Sequence, residues 1–347
     1  MGFRVSIVLP AYNAAPTIGR AVASVRAQTF SDWELIAVDD GSTDGTREML
    51  EDIARGDPRV RVIGRAHQGV VAALNAGLAA AEGEFIARMD ADDEAHPERL
   101  AAQVEFLRAP ENRDIGLAGC LVEFGGDRAA SAGYALHVDW LNSLITSDEI
   151  ALNRFVESPL AHPSVMFRRE LVEKLGGYRA GDFPEDYELW LRWLDAGVRM
   201  AKMPRVLLRW NDPPMRLSRR DARYAPEAFF CLKAEWIARE VRRALAGDAG
   251  RGERKILIWG AGRPTRKRAS SLEAHGLRIA GYIDIDARKV TPAIGGTGAP
   301  VLAPAELPPA GEAFVLGYVA SRGARELIRG ELRTRGYAEG RDFLMCA

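Results

Sequence analysis

Two acidic stretches hold the residues of this chain with the clearest chemical potential. Residues 39–44 (DDGSTD) and 90–93 (DADD) each follow a short apolar run, at 35–38 and 85–87. Such runs, bounded by turn residues, are typical of buried parallel strands, and open α/β sheets bind ligands beyond the carboxyl ends of such strands. Carboxylates gathered there repel one another unless a cation lies among them. Because oxygen ligands without neighbouring Cys or His favour Mg²⁺ or Mn²⁺ over zinc, the stretches predict a metal-assisted nucleotide site.

A simpler role is open to part of the first stretch. Ser42, Thr43 and Asp44 all suit the N-cap of a helix that begins near residue 46. Capping accounts for one or two of these residues, but it does not account for the doubled Asp39 and Asp40 at the end of the strand.

Strand and helix patterns alternate along the chain, and they position both stretches at one edge of a sheet. Apolar periodicity and turn residues predict strands at 5–9, 35–38, 60–63 and 84–87 and helices at 16–28, 46–54 and 69–81. One or two strands are expected at 115–124, a strand at 206–210, and helices at 140–155, from 185 onwards and at 225–243. This alternation predicts a doubly wound α/β structure.

Length and composition set the wider frame. A chain of 347 residues exceeds the usual single core, so we expect two domains, at 1–245 and 254–347, joined by an Ala/Gly-rich linker at 244–253. The formal net charge of −1 does not indicate the basic surface that is typical of nucleic-acid-binding proteins. No apolar run approaches the ~20 residues of a membrane helix. Three scattered cysteines, without a CxxC pair, and the absence of a signal peptide pattern predict buried, reduced thiols and a cytoplasmic protein.

The ordered set of motifs in the first two-thirds or so of the chain resembles a known family. Residues 10–13 (PAYN), 28–30 (QTF), 38–44, 75–77 (NAG) and 90–93 occur in order and at compatible spacings. The set is similar to the family 2 glycosyltransferases, which are inverting enzymes of the GT-A fold that use nucleotide-diphosphate sugars.

This resemblance implies roles in binding the donor. Pro10, Tyr12, Asn13, Asp40 and Asp90 would bind the nucleotide, with Tyr12 against the base, Asp40 accepting a hydrogen bond from the base NH, and Asp90 near the ribose or a water on the metal. Asp92 would bind the Mn²⁺ or Mg²⁺ that links the phosphates. We therefore expect Asp40, Asp90 and Asp92 to gather round one ion and the donor.

Neighbouring residues have less certain roles. Asp93 is at least as well explained as a cap of the helix that follows residues 97–99. Arg65 and His67 lie in the loop after the third strand, where they would reach the phosphates or simply form a solvated pair.

The resemblance also assigns the acceptor side of the site. Asp186 matches the general base of the family, with Glu185 beside it at the start of a helix whose apolar stripe is Leu189, Trp190 and Trp193. Acidic capping of that helix is the simpler alternative. His162 lies in a segment similar to the one beside the family's acceptor opening, and a contact with substrate and a structural hydrogen bond are equally open for it.

An inverting transfer needs one base and stabilisation of the leaving group. An Asp side chain, with a usual pKa of about 3.9, is ionised at neutral pH and accepts the proton as the hydroxyl attacks. A basic loop containing Arg219, among four arginines at 216–223, would close over the diphosphate or lie in solvent.

The C-terminal pattern resembles a Rossmann-like nucleotide-binding module. A buried strand pattern at 255–259 leads into Gly260 and Gly262, a phosphate-binding type of turn. Thr265 stands in the place of the third glycine, and basic residues crowd the turn. An ancillary or structural domain is therefore favoured over a working NAD site. A helix to about residue 275, strands at 279–283, 314–319 and 343–346 and a helix at 325–335 complete this domain.

The sequence thus predicts an inverting glycosyltransferase that uses a nucleotide-diphosphate sugar, with uridine as the expected base, and a glycan or lipid-linked acceptor. Peripheral membrane association remains open. One rival is a non-catalytic nucleotide-sugar binding protein. The other is a nucleotidyltransferase, which needs a Gly- and Arg-rich phosphate loop that residues 10–13 lack.

Overall fold

The computed structural model describes residues 4–213, 216–247, 254–293 and 298–347, and the chain forms two compact units. The first comprises Met1–Ala151 and Pro159–Arg223, and the second comprises Leu152–Ser158 and Tyr224–Ala347. The long helix Pro226–Ala246, which the sequence analysis assigned to the first domain, groups with the second unit. The domain limits 1–245 and 254–347 remain a prediction, and residues 248–253 of the expected linker lie outside the described residues.

The first unit is built on a mixed eight-stranded sheet of order β3-β2-β1-β4-β7-β6-β8-β5. Strands β1 to β4 are mutually parallel, β7 is antiparallel to both of its neighbours, and β5 is antiparallel to β8. The strands are β1 Val5–Ala11, β2 Trp33–Asp39, β3 Val60–Gly64, β4 Phe85–Arg88, β5 Glu94–Ala95, β6 Ile115–Phe124, β7 Met166–Arg168 and β8 Arg199–Trp210. The helices are α1 Ala15–Arg26, α2 Thr46–Gly56, α3 Val70–Ala80, α4 Arg99–Arg108, α5 Ala132–Ser143, α6 Ser147–Asn153, α7 Glu170–Leu175 and α8 Glu185–Asp195.

Helices cover both faces of this sheet, which explains the nearly continuous apolar strands. Along β1, Ile7 joins one apolar cluster together with Val22 of α1, whereas Val8 joins the other cluster together with Leu74 of α3. Gly77 lets α3 approach the sheet, because a Cβ built there would lie 2.5 Å from Val8 Cγ1. The α/β prediction is confirmed, with a sheet that is mixed beyond its parallel half.

The predicted helix at 140–155 is wrong. Helix α5 begins earlier, and α6 starts as a separate helix after a break at residues 144–146. The Glu149 carboxylate accepts the N–H groups of Ile145 and Thr146, and the Thr146 hydroxyl accepts the N–H of Glu149. This reciprocal capping box starts a new helix where apolar periodicity alone suggested continuity.

Strand β8 begins seven residues before the predicted strand, at Arg199. Pro204 interrupts the strand pattern, and the pairing with β6 skips from Met203 to Val206 at that point. Proline is tolerated in a strand at such a bulge, so the two parts of the pattern form one bent strand. The cysteine prediction is also corrected in part, since Cys120 and Cys346 are buried but Cys231 is exposed.

The second unit contains a five-stranded parallel sheet of order β11-β10-β9-β12-β13. This order reverses direction at β9, as in Rossmann-like sheets, so the fold expected for this region is confirmed. Its strands are β9 Lys255–Trp259, β10 Ile279–Ile283, β11 Val301–Leu302, β12 Ala313–Gly317 and β13 Phe343–Met345. Its further helices are α9 Pro226–Ala246, α10 Arg263–Ala274 and α11 Ala324–Thr334.

Candidate active site

The carboxyl ends of three adjacent strands bring the expected donor residues to one edge of the first sheet. Strand β1 lies between β2 and β4, and its last residue, Ala11, pairs with the last residue of β2, Asp39. Tyr12, Asp40 and Asp90 therefore follow neighbouring strand ends. The register of a parallel sheet thus brings together residues that are far apart in the chain.

Two hydrogen bonds join the turns that follow β1 and β2. The N–H of Asn13 donates to Ser42 Oγ at 2.9 Å, and Asn13 Oδ1 accepts the N–H of Thr43 at 2.9 Å. Asn13 has a φ of 49°, in the left-handed region that Asn tolerates better than most residues. Pro10 lies in β1 just before this turn, so the PAYN motif fixes the backbone at the edge of the sheet.

Asp40 is buried within the first unit, with 3% of its surface exposed. Its carboxylate accepts the N–H groups of Gln68 at 3.2 Å and Gly69 at 2.7 Å, and it lies 3.3 Å from Arg65 Nε and 2.8 Å from His67 Nδ1. A carboxylate has about four acceptor positions. The two backbone N–H groups leave acceptor capacity on this carboxylate, so a base NH has a position at Asp40 beside the charged Arg65. Arg65 is mostly buried against Asp40, whereas His67 is half exposed at 53%, so only Arg65 departs from the solvated pair considered from the sequence.

Tyr12 presents an aromatic surface beside this carboxylate. Its ring stacks on the ring of His67, with centroids 4.1 Å apart and an interplanar angle of 23°. Half of the Tyr12 surface is nevertheless exposed, at 49%. His67 covers one face of Tyr12, and the exposed part of the ring offers the surface against which a planar base can stack.

A group of three carboxylates lies at the end of β4. Asp90, Asp92 and Asp93 each offer an oxygen, and these oxygens lie within 4.8 Å of one another. Asp93 is 1% exposed; one of its oxygens accepts the N–H of Asn211 at 2.8 Å, and the other, Oδ2, is buried without a hydrogen-bond partner. An orphaned, buried carboxylate oxygen within a group of acidic side chains fits a divalent cation.

The electrostatics of this group also fit a cation. Burial, followed by the charge of Asp90, raises the pKa of Asp92 to about 6. Burial and the charges of Asp90 and Asp92 raise the pKa of Asp93 well above its usual value. The positive charge of Arg216 opposes both rises. The metal-free group therefore carries unrelieved repulsion, which a divalent ion would remove.

The composition of this group differs from the expectation in two respects. Asp40 is not a member of it, because its carboxylate is held by the 65–69 loop. Asp93 is a member and caps no helix, since α4 begins at Arg99 with Glu98 as its N-cap. The sequence signal for Asp93 was its place directly after Asp92 in the DADD run.

A buried arginine connects the acidic group to the acceptor segment. The Arg88 guanidinium donates to Asp90 Oδ1 at 2.6 Å and, through Nε, to His162 Nε2 at 3.2 Å. The same His162 nitrogen lies 2.7 Å from the Tyr178 hydroxyl. Burial and the charge of Arg88 lower the pKa of His162 well below its usual value, so the ring is neutral at pH 7. His162 therefore matches the structural alternative, because it holds Arg88 and Tyr178 in place.

Helix α8 carries the predicted base and is anchored by its aromatic stripe. Leu189, Trp190 and Trp193 are fully buried, as the sequence predicted. Trp193 packs edge-on against Phe167 of β7, with ring centroids 5.1 Å apart. Because the stripe is fixed on the sheet, the first turn of α8 is fixed as well.

Asp186 and Glu185 occupy that first turn. Glu185 is buried, whereas Asp186 is partly exposed and its Oδ1 accepts the N–H of Tyr187 at 2.7 Å. Burial raises the pKa of Tyr178, the charge of Arg88 opposes the rise, and the charges of Asp186, Glu185 and Asp90 add to it. Since these carboxylates act on one phenol, Asp186 lies within electrostatic range of the same network as Asp90.

An open cavity of about 480 Å³ lies beside Asp92. Both basic and acidic residues line it, and the segment after β8 contributes Asn211, Asp212 and Pro213. The lining residues are Thr17, Arg20, Asp92, Glu94, Gly125, Arg209, Asn211, Asp212 and Pro213. Of these residues only Asp92 was expected from the sequence at this site.

The basic segment after β8 is less free than the sequence suggested. Arg216 lies over the rings of Tyr134 and Trp210, at 4.7 and 4.5 Å from their centroids. Arg219 pairs with Asp212 at 2.5 Å. A phosphate would have to compete with Asp212 for Arg219, whose contact with the donor remains a prediction. Residues 214 and 215 lie outside the described residues.

The predicted phosphate turn of the second unit joins β9 to α10. Gly260 has a φ of 115°, and a Cβ there would lie 3.0 Å from Val319 Cγ2, so this position requires glycine. Gly262 is the N-cap of α10. The side chain of Thr265 donates to Tyr318 O at 3.3 Å, which accommodates the residue that replaces the third glycine.

The first unit, with aspartates at the carboxyl edge of its sheet, has a fold of the GT-A type. Staphylococcus aureus TarS 1-349, solved in complex with UDP-GlcNAc, shares this fold. Its TM-score is 0.53, with 18% sequence identity, over 78% of this chain and 71% of that chain. Among the described residues, no helix has the length and apolar character needed to cross a membrane.

Sequence comparison identifies the family. The model of glycosyl transferase family 2 matches residues 6–176. Putative glycosyltransferase EpsE of Bacillus subtilis is 31% identical over 231 residues, which cover 65% of this chain and 78% of that protein. The chain therefore belongs to glycosyl transferase family 2, which confirms the resemblance inferred from the motifs. Putative teichuronic acid biosynthesis glycosyltransferase TuaG of B. subtilis is 33% identical over 156 residues, 45% of this chain and 53% of that protein.

Proposed function

We propose that this glycosyltransferase moves a sugar, with inversion, from a nucleotide-diphosphate sugar to a hydroxyl group of a glycan or lipid-linked acceptor. A uridine diphosphate sugar is the expected donor, and the building of a cell-surface polysaccharide is the expected role. The name of TuaG, which refers to teichuronic acid biosynthesis, supports that role. One observation carries the mechanism: Asp90, a member of the acidic group that accepts a hydrogen bond from Arg88, and Asp186 both raise the pKa of the buried Tyr178, so the predicted base acts on the same phenol as the acidic group.

The donor would lie along the carboxyl edge of the first sheet. The exposed part of Tyr12 stacks on the base, and the backbone at Pro10 and Asn13 shapes this end of the site. Asp40 accepts the base NH. Asp90, oriented by Arg88, accepts a hydrogen bond from the ribose. Arg219 exchanges Asp212 for the diphosphate as the loop closes.

Asp92 and Asp93 would hold Mn²⁺ or Mg²⁺. When bound, this ion neutralises the charge that grows on the departing diphosphate. The orphaned Asp93 Oδ2 and the raised pKa of Asp92 support this assignment, because both features disappear when a cation is bound.

Asp186 would act as the general base from the first turn of α8. The acceptor oxygen forms a bond to the anomeric carbon while the bond from that carbon to the diphosphate breaks. The electron pair leaves with the diphosphate, and the hydroxyl proton goes to Asp186. Because no covalent intermediate forms, one carboxylate suffices on the acceptor side. Glu185, buried next to it, is the predicted further contact with the acceptor or the phosphates.

Asp186→Asn tests the assignment directly. We expect sugar transfer to fall by about 10²- to 10⁴-fold, while donor binding, measured by the rise in melting temperature with Mn²⁺ and the preferred nucleotide sugar, is retained. The matched control is Asp182→Asn, an exposed aspartate just before α8, which should leave transfer unchanged.

The preferred donor would first be found with a thermal-shift panel of nucleotide sugars in Mn²⁺, Mg²⁺ and chelator. Full activity of Asp186→Asn would refute the catalytic role of Asp186. Binding of a nucleotide sugar without transfer to any glycan or lipid-linked acceptor would favour a non-catalytic binding protein instead.

A further inference from the structure

The second unit contains a cavity that the proposed transfer reaction does not use. It has a volume of about 390 Å³ and lies beside the turn between β9 and α10. This volume falls in the range of small-molecule sites. Its lining residues are Ala261, Gly262, Arg263, Arg266, Lys289, Thr291, Ala293 and Val301.

The charge of this lining is one-sided. Arg263, Arg266 and Lys289 contribute three positive charges, and none of the described residues that line the cavity is a carboxylate. Lys289 is paired with Asp284 at 3.0 Å. Among the described residues, no ion pair is found for Arg263 or Arg266. A concave site lined by charges of one sign concentrates counter-ions, so this cavity favours an anion.

The backbone of the turn suits a close approach by that anion. A Cβ built on Gly262 would meet only Pro264 Cδ, at 3.8 Å, so the space in front of this residue is open. Helix α10 begins directly after it, and the N-terminus of a helix favours negative charge. The helix end adds to the attraction, but the cavity and its unpaired arginines carry the argument.

The contacts of Asp284 argue against a dinucleotide as the ligand of this cavity. In dinucleotide-binding sheets, an acidic residue after the second strand binds the ribose. Here Asp284 follows β10, but its oxygens accept the N–H groups of Ala261 and Asp286, each at 3.0 Å, and pair with Lys289. This carboxylate is committed to holding the turn together. Among the described residues the site thus keeps a phosphate pocket, while the carboxylate at the ribose position is already bound to the turn and to Lys289.

We propose that this cavity is a second ligand site, which binds a small phosphorylated molecule through its phosphate or diphosphate group. The residues that bind the phosphate are Gly262, Arg263, Arg266 and Lys289. The cavity is not an NAD site. The phosphate oxygens accept hydrogen bonds from the two arginines and from the backbone beside Gly262. This site is separate in chemistry from the acidic group of the first unit, and its existence does not depend on the transfer reaction.

The experiment is calorimetric titration of the full chain with inorganic pyrophosphate in the presence of chelator. Without a divalent cation, the aspartates of the first unit repel the probe, and binding that weakens on substitution of Arg266 is assigned to the cavity. We expect saturable binding to one site, weakened about ten-fold in Arg266→Gln by the loss of one charge-assisted contact. Arg278→Gln, which removes an exposed charge of the same unit outside the cavity, should bind as the parent does.

A second variant separates binding from folding. Gly262→Ala has room for its methyl group and does not require a positive φ, so its melting temperature should be unchanged while pyrophosphate binding weakens. Absence of saturable binding at millimolar pyrophosphate would overturn the proposal, as would equal weakening in Arg266→Gln and Arg278→Gln. NAD binding at micromolar concentration would overturn the exclusion of dinucleotides. None of these outcomes bears on sugar transfer, which is measured separately.

Discussion

Removing one charge from the acidic group should stabilise the metal-free protein and abolish its response to metal. In the absence of metal, burial and the neighbouring Asp90 raise the pKa of Asp92 from 3.8 to about 6. Because each pKa unit corresponds to 1.36 kcal/mol, ionised Asp92 costs the fold up to about 3 kcal/mol at pH 7. Asn keeps a polar group at the same place, so we expect Asp92→Asn to recover about 1–3 kcal/mol in chelator.

The pH dependence has a definite sign. The pKa of Asp92 is higher in the folded chain than in the unfolded chain. The contribution of protonated Asp92 to the stability of the fold is therefore complete below about pH 3.8, and it is lost as the pH rises through about 6. In chelator, the advantage of Asp92→Asn over the parent should be smallest near pH 4 and largest above pH 6.

Melting curves measure both effects, since 1 kcal/mol corresponds to about 2–4 °C for a unit of this size. With Mn²⁺ the parent should have the higher melting temperature of the two, because it gains stability by binding the ion and Asp92→Asn does not. The matched control, Asp182→Asn, should follow the parent in both conditions. A variant that is less stable than the parent in chelator, or that keeps the full response to Mn²⁺, would refute the assignment of the acidic group as a metal site.

Two further predictions concern the packing of the first unit. Gly77→Ala should lower the free energy of unfolding, measured by chemical denaturation, by about 1–3 kcal/mol, because the new methyl group overlaps Val8. Gly133 lies on helix α5, and a methyl group added there meets no other atom of the described residues. Gly133→Ala should therefore raise the free energy of unfolding by about 0.4–1 kcal/mol. Equal effects of the two substitutions would show that α3 does not approach β1 as closely as described. The amine of Lys202 donates a hydrogen bond to Leu141 O, and burial lowers the pKa of Lys202 to about 7. The buried positive charge therefore lowers the stability of the folded state most below about pH 7. Lys202→Met should therefore gain most over the parent near pH 6, with the difference shrinking towards pH 10; a difference independent of pH would contradict a buried, titrating amine.

Most of the fold could be predicted because its signals are local. Parallel strands buried on both faces leave apolar runs, and amphipathic helices leave a 3.6-residue stripe, as at Leu189, Trp190 and Trp193 of α8. The failures occurred where a local rule was overridden. The capping box of Thr146 and Glu149 split one expected helix, and the bulge at Pro204 let β8 begin seven residues before the expected strand.

The candidate site shows the same division between local and distant information. Asp40, Asp90 and Asp92 were found because they lie in acidic stretches that come just after the ends of strands. The partners of these residues were not found, because they come from far along the chain. His162 reaches Arg88 across 74 residues, and Asn211 reaches Asp93 across 118.

The sequence by itself determined the family, the alternation of strands and helices, and the type of chemistry, because motif and periodicity are properties of neighbouring residues. Only the tertiary structure decided which carboxylates share a site. It separated Asp40, which is held by its own loop, from the group of Asp90, Asp92 and Asp93. It also showed that His162 is neutral and that Asp284 is committed to a turn. These properties depend on burial and on the register between distant strands, and a short stretch of sequence predicts neither of them.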